Sequence, residues 1–181
     1  MIYLGIDPGK DGAIFGIGSA GVEGWIIPDL DQRAERMRLL LAMVDNCPDM
    51  IRAVLEDAPA FPGQSSVTTA AQFRDIGQWQ GMLAALKIPY QMVKATTWQK
   101  EVMVGKPAPE KKPKADGSEQ IKKERKRLAE VHRKEIKAYA ATVAGRIFPG
   151  LDFRRTERCA GPHDGLVDAA LIAEYCRRTW R

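Results

Sequence analysis

Three short apolar runs fill the first thirty residues, and their spacing restricts the fold more than any other feature of the chain. Apolar residues alternate within each run, which is typical of strands that bury one face. Asp11 and Gly12 mark a turn between the first two runs, and 19–21 mark a turn between the second and the third. Links this short join neighbouring strands as hairpins, so we expect the chain to begin with a three-stranded antiparallel meander.

Helical and strand patterns alternate along the rest of the chain. Apolar spacing predicts two further strands, 51–56 and 88–93, and helices over 32–46, 67–86, 96–104, 119–147 and from Pro162 to about 178. Strands separated by helices are joined by crossovers and are therefore parallel. We expect one α/β domain over 1–181, with a five-stranded mixed sheet (three antiparallel strands plus crossover strands) flanked by helices.

Positive charge is concentrated in one segment. Residues 94–137 hold 14 Lys or Arg and 7 Asp or Glu, a net of +7; the rest hold 28 − 14 = 14 basic and 23 − 7 = 16 acidic residues, a net of −2. This distribution favours a polyanionic partner, although a solvated helix and a lysine-rich linker would give the same pattern. Within this segment, 105–118 (GKPAPEKKPKADGS) has almost no apolar residue, so we expect a mobile Pro/Lys-rich loop.

Other function classes are excluded by composition. No apolar run approaches the roughly 20 residues of a membrane helix, so we expect no membrane association. The N-terminus lacks the pattern of a secretory signal. Cys47, Cys159 and Cys176 have no metal-like spacing, which indicates reduced thiols rather than a zinc site. These features predict a cytoplasmic protein.

Four acidic residues stand where the predicted elements would bring them together. Asp7 ends the first strand, Glu56 ends the fourth, and Asp164 and Asp168 stack on one face of the last helix. Gathered carboxylates repel one another, and hard divalent ions such as Mg²⁺ or Mn²⁺ remove that cost. Two ions about 4 Å apart hold the attacking water and leaving oxygen of a phosphodiester. Singly, each acid has a simpler explanation, namely turn capping, strand-end solvation or helix N-terminal stabilisation.

Three sequence stretches together resemble the RuvC-type Holliday junction resolvases of the ribonuclease H-like superfamily, in particular the phage-encoded type. They are GIDPG at 5–9, VLE at 54–56 and HDGLVDAA at 163–170, and the resemblance spans nearly the whole chain. It implies a homodimeric endonuclease of DNA recombination and repair that binds a four-way junction. Each subunit would make a Mg²⁺-dependent nick, with Mn²⁺ as a substitute and no small-molecule cofactor, leaving 5′-phosphate and 3′-hydroxyl ends.

The resemblance also implies roles for particular residues. Asp7, Glu56 and Asp168 fall on the family's acidic positions. Bacterial members place a further acid or histidine three residues before the last aspartate, where this chain has Gly165; Asp164 is the substitute, with His163 the other candidate.

Further positions are candidates for contact with DNA or with a partner subunit. Lys100 resembles a family lysine near the scissile phosphate. Phe61 lies where family members present a wedging aromatic, although packing against its neighbouring prolines is an equal alternative. The helix around Gly77 and Gly81 is expected at or near the dimer face. The candidate DNA contacts are Phe61, Lys94, Lys122, Lys123, Lys126, Lys134 and Lys137.

Other functions compete with junction resolution. A related nuclease acting on RNA or on RNA–DNA hybrids would share the acids, and a nuclease-inactive junction-binding protein would share the basic surface. An actin-like or sugar-kinase-like ATP-binding protein also opens with a strand–Asp–x–Gly hairpin. It needs a second, similar domain, which 181 residues do not hold.

Overall fold

The computed structural model describes residues 1–9, 11–19, 21–26, 29–59, 63–111, 113–114 and 118–180. One five-stranded sheet has the order β3-β2-β1-β4-β5. Its strands are β1 (Ile2–Asp7), β2 (Ala13–Gly18), β3 (Gly21–Trp25), β4 (Ile51–Asp57) and β5 (Tyr90–Lys94). The first three strands pair antiparallel, whereas β4 pairs in parallel with β1 and with β5. The expected meander and crossover strands are both present.

Helices cover both faces of the sheet. They are α1 (Leu30–Ala42), α2 (Ser66–Ala85), α3 (Ala95–Val102), α4 (Glu119–Ile147) and α5 (Asp164–Thr179). One core lies between the sheet and α3, α4 and α5, and the other between the sheet and α1 and α2. None of the helices in the described part of the chain is long and apolar enough to cross a membrane.

Several helix ends differ by two residues or more from the sequence-based prediction, and two of them have a clear local cause. Helix α5 begins at Asp164 instead of Pro162, because His163 has extended backbone and its Nδ1 accepts the Leu166 N–H at 3.3 Å as the N-cap. Helix α1 ends at Ala42 instead of near residue 46, because Asp45 and Asn46 have positive φ angles of 53° and 57°. Both differences are local backbone effects that apolar periodicity does not reveal.

The Pro/Lys-rich segment is neither helix nor strand where the structure describes it, between residues 105 and 114. The segment contacts α4 at Pro113, and Val104, the residue that precedes the segment, contacts α4 as well. The Tyr139 hydroxyl donates to the Val104 carbonyl at 2.6 Å, and Arg125 Nη1 donates to the Pro113 carbonyl at 3.2 Å. The mobility of 105–118 stays a prediction.

Helix α5 lies directly on the central strand β1. A Cβ added at Gly5 would meet the Ala169 carbonyl oxygen at 2.1 Å and the Ala173 nitrogen at 2.2 Å. No side chain fits in that space, so the glycine permits a backbone-to-backbone approach of helix and strand. This close approach determines the distance between the first turn of α5 and the end of β1.

Candidate catalytic carboxylate site

Adjacent strands bring Asp7 and Glu56 together. In the parallel pair of β1 and β4, Ile6 is the partner of Leu55, so Asp7 and Glu56 follow as neighbours one residue later. Side chains alternate between the two faces of a sheet, and Ile6 and Leu55 belong to the core under α1 and α2. Asp7 and Glu56 therefore both project towards the opposite face, which α5 covers.

The first turns of α5 bring Asp168 to the same place. A Cβ built on Gly165 would lie 3.2 Å from Asp7 Oδ2, which puts the Asp7 carboxylate against the start of this helix. Asp168 is one turn further along and partly buried. Three of the four sequence-predicted acids thus meet at the end of β1.

Electrostatic coupling between these three carboxylates agrees with that geometry. Burial raises the pKa of Asp7 well above its usual range, and the negative charges of Asp168, Glu56 and Asp75 raise it further. The pKa of Asp168 is raised to about 7, first by burial and then by Glu56 and Asp164. Burial also raises the pKa of Glu56. In the absence of a neutralising cation, this site therefore favours protonated carboxyl groups.

Trp98 fixes the orientation of Glu56. Its indole Nε1–H donates to Glu56 Oε2 at 3.0 Å, and this bond lowers the Glu56 pKa, in opposition to burial. The Trp98 side chain is 1% exposed and belongs to the core beneath α5. A buried indole N–H needs a hydrogen-bond acceptor, and this need is the property of the sequence from which Trp98 could have been identified as a site residue. It was not among the predicted site residues.

Lys137 reaches the acids from the middle of α4. Its ammonium group pairs with Asp164 Oδ2, and its charge lowers the pKa of both Asp7 and Asp168. The sequence placed Lys137 among the phosphate contacts of a basic helix; the structure places it at the carboxylates themselves. Asp164, in contrast, is exposed and turned towards Lys137.

Gly165 occupies the position at which the resemblance implies a metal-binding side chain. A Cβ there would lie 2.2 Å from the Asp11 carbonyl oxygen, because the turn between β1 and β2 presses against α5. No larger residue fits unless that turn moves, so a fourth donor has to come from elsewhere. His163 Nδ1 already accepts a backbone N–H, which leaves only its Nε2, while Asp164 has its carboxylate at the surface.

The donor chemistry of the site fits a hard divalent cation. Three carboxylates share one partly buried place, and Lys137 is the cation that lowers the pKa values of Asp7 and Asp168. Oxygen ligands of this kind suit Mg²⁺ or Mn²⁺. Within the described ranges, however, no three His, Cys, Asp or Glu side chains converge closely enough to hold a metal ion as they stand. The acids are near neighbours, and binding would require side-chain rotation.

The remaining predicted residues that the structure describes lie at the ends of α3 or on α4. Lys94 is exposed at the N-cap of α3, and Lys100 is exposed in its last turn, two residues after Trp98. Lys122, Lys123, Lys126 and Lys134 are on α4. Phe61, the predicted wedge, lies outside the described residues.

Comparison with known proteins bears on the fold. No protein-family model matches the chain, and no curated protein matches its sequence. Among solved structures, the chain is similar to Thermus thermophilus RuvC in complex with a Holliday junction substrate, with a TM-score of 0.52 and 12% identity over 99% of this chain and 97% of that one. Another T. thermophilus RuvC structure matches with a TM-score of 0.48 and 14% identity over 98% and 96% of the two chains. The predicted fold is confirmed: this chain has a RuvC-like, ribonuclease H-type fold.

Proposed function

We propose that this chain is a metal-dependent crossover junction endodeoxyribonuclease, which resolves four-way and related branched DNA by paired symmetric nicks. The observation that carries the proposal is the meeting of Asp7, Glu56 and Asp168 at one end of the sheet in a RuvC-like fold. Burial of three mutually repelling carboxylates destabilises a metal-free protein, so the arrangement calls for a function that uses their charge.

Divalent cations bound at this site would supply the activated water and the charge stabilisation that phosphodiester hydrolysis needs. Asp7, Glu56 and Asp168 would be their ligands, and Asp164 would complete the set once its side chain leaves Lys137. Trp98 holds the Glu56 carboxylate in one orientation. Lys137, freed from Asp164, would then offer its ammonium group to the scissile phosphate. Lys100 remains a second candidate for that contact.

Helix α4 provides a surface for a DNA arm that begins at the carboxylates. At about 100° per residue, Lys122, Lys126, Arg133 and Lys137 fall within a sector of about 60° on one side of the helix. All four side chains are exposed. The fifteen positions from Lys137 to Lys122 correspond to about 22 Å at about 1.5 Å per residue. This cationic stripe has the length to contact several phosphates of one duplex arm.

Within α4, ion pairs compete only weakly with phosphate. Lys122 pairs with Glu119 at 2.7 Å and Lys134 pairs with Glu130 at 3.6 Å, all on exposed side chains. Pairs of this type contribute between zero and about 1 kcal/mol, so DNA displaces them easily. Lys123 and Lys134 lie on the flank of the stripe and would contact DNA less directly.

Paired nicks require two copies of the site, and α2 offers a face on which two chains can meet. Phe73 is 52% exposed, and Gly77 and Gly81 follow at four-residue spacing with open space above them. This face suits a homodimer because bare helix backbone permits close approach of a partner helix. Sedimentation of the protein and of Phe73→Glu tests it: we expect a dimer for the first and a monomer for the second.

Cleavage of labelled substrates tests the proposed function. The protein is incubated with Mg²⁺ and a four-way junction, a linear duplex or an RNA–DNA hybrid. We expect preferential, paired cleavage of the junction. Preferential cutting of the hybrid would instead support a nuclease of the RNA-directed kind, and tight junction binding without any cutting would support a nuclease-inactive binding protein.

The variant Asp7→Asn separates cutting from binding. Asparagine resembles the neutral carboxyl group that burial favours at this position, so the fold should be retained. We expect cleavage to be abolished and junction affinity to stay within about twofold, because the α4 stripe is unchanged. Loss of junction binding by a folded Asp7→Asn protein would contradict this division of roles.

A further inference from the structure

The turn that follows Asp7 is held in place by a hydrogen bond to a carboxylate on α2. The Gly9 N–H donates to Asp75 Oδ2 at 2.6 Å, across 66 residues of sequence. Gly9 has φ of +136°, a conformation that L side chains rarely adopt, so this backbone N–H is aimed by a turn that needs glycine. The bond fixes the turn two residues after the Asp7 carboxylate.

Asp75 is itself held by a buried arginine. Arg33 Nη1 on α1 lies 2.5 Å from Asp75 Oδ1, and the Arg33 side chain is 3% exposed. The same nitrogen donates to Gln78 Oε1 at 3.2 Å, and the guanidinium lies 5.1 Å from the Trp79 ring centroid. Both Asp75 oxygens are therefore engaged, one by the guanidinium and one by the turn, and the carboxylate has no freedom to rotate.

On its other side, the turn presses against α5. The Gly12 N–H donates to the Gly9 carbonyl at 3.0 Å, which closes the turn, and the Asp11 carbonyl lies where a Cβ of Gly165 would be. The turn is thus confined between Asp75 on α2 and the first residues of α5. Since Asp7 precedes the turn and Asp168 is on α5, the position of the turn sets the separation between these two carboxylates.

We propose that Asp75, braced by Arg33, is a positioning residue that holds the Asp7 turn so that the Asp7 and Asp168 carboxylates bind a divalent cation together. Asp75 acts on the turn through Gly9, while its negative charge also reaches Asp7; its role is to position a ligand, not to bind the cation or the DNA. This inference rests on the proposed function, because it assumes that the carboxylates are metal ligands. Groups that orient metal ligands typically change metal affinity or activity by about 10- to 100-fold when they are removed.

Asp75→Asn tests the inference in the full chain. Its amide oxygen can still accept one hydrogen bond, but the side chain loses the charge that pairs with Arg33. We expect Mn²⁺ affinity, measured by electron paramagnetic resonance without DNA, to weaken about 10-fold or more. The Mg²⁺ concentration for half-maximal cleavage should rise in parallel, and junction affinity in EDTA should stay within about twofold.

Glu174→Gln is a matched control. Glu174 is a carboxylate that is 2% exposed and pairs with Arg177 and Arg178, each at 2.8 Å, near the far end of α5. The substitution should lower the melting temperature, as we also expect of Asp75→Asn, but leave Mn²⁺ affinity unchanged. A destabilising effect alone would therefore not imitate the proposed role.

The outcomes distinguish this inference from the proposed function. If the unmodified protein binds Mn²⁺ and cuts junctions while Asp75→Asn does both equally well, the positioning role is wrong. If Asp75→Asn and Glu174→Gln weaken Mn²⁺ binding alike, the role is wrong too. Failure of the unmodified protein to bind Mn²⁺ or cut any branched DNA contradicts the proposed function itself. Arg33→Lys keeps the Asp75 charge that reaches Asp7 and changes only the group that braces it, so it separates positioning from charge and also decides if Asp75→Asn does not fold. We expect a smaller weakening of Mn²⁺ binding in this variant, and an unchanged Mn²⁺ affinity contradicts the positioning role.

Discussion

Replacing Asp168 with asparagine should make the metal-free protein more stable at alkaline pH. Burial and neighbouring carboxylates raise the Asp168 pKa in the folded protein to about 7, from 3.8 for an unperturbed group. Between these two values the folded state binds more protons than the unfolded state, so stability falls as pH rises. The contribution of Asp168 is fully present below about pH 3.8 and is lost as pH passes through about 7.

The size of this effect follows from the shift. About three pH units, at about 1.4 kcal/mol per unit, give about 4 kcal/mol of stability lost between pH 4 and pH 8.5. A domain of this size changes its melting temperature by about 2–4 °C per kcal/mol, so the change is about 8–16 °C. Asparagine does not titrate, and the variant should therefore gain this amount over the unmodified protein across that interval.

Thermal unfolding in EDTA from pH 4 to pH 8.5 measures the difference directly. Glu174→Gln provides a control of opposite sign: burial opposes ionisation of Glu174, but hydrogen bonds from Arg177 and Arg178 lower its pKa overall. The contribution of Glu174 to folding stability is lost as pH falls through its lowered pKa. The Glu174→Gln variant should therefore be least stable, relative to the unmodified protein, at high pH. Mg²⁺ at pH 8.5 should stabilise the unmodified protein and not Asp168→Asn. A stability difference for Asp168→Asn that does not change with pH would refute the reasoning.

Three further substitutions probe the neighbours of the carboxylates. Trp98→Phe removes the indole donor that lowers the Glu56 pKa, so the acidic limb of the pH–rate profile for cleavage should move to higher pH. Gly165→Ala puts a Cβ 2.2 Å from a backbone oxygen and should cost about 1–3 kcal/mol or more in thermal unfolding, whereas Gly161→Ala, with open space around it, should cost little. Lys137→Met should tighten Mn²⁺ binding at pH 8.5, since a competing cation is gone, yet slow cleavage; weaker Mn²⁺ binding by this variant would contradict the role given to Lys137.

The sheet and the meeting of the acids were open to prediction because they depend on local patterns and on a few topological rules. Short links dictate the antiparallel meander, and helical crossovers make the later strands parallel. With β1 and β4 adjacent, the ends of these strands bring Asp7 beside Glu56. The i, i+4 spacing of Asp164 and Asp168 was equally visible, but the spacing did not reveal that Lys137 draws Asp164 to the surface.

Contacts that depend on tertiary packing could not be predicted. The contact of Lys137 with the carboxylates depends on the position of α4 along its own axis relative to the rest of the fold. The Pro/Lys-rich segment that precedes α4 has no sequence pattern from which this position could be predicted. Arg33 and Asp75 look like surface charges in the sequence; they are hidden only because α1 and α2 pack together over the sheet. Buried ion pairs of this kind are invisible to hydrophobic periodicity, which assigns charges to the solvent.

The contact of Gly5 with Ala169 and Ala173 has a consequence for how the molecule is made. Residues 5 and 169 are 169 − 5 = 164 positions apart, yet their backbones touch. During synthesis, β1 leaves the ribosome long before the helix that covers it, and contacts between such distant segments slow folding. The central strand therefore has an uncovered face until α5 has been synthesised. A nascent chain arrested before α5 should bind chaperones and be cleaved readily by proteases. Once α5 has been released from the ribosome, the whole sheet should become protected from proteolysis in one step.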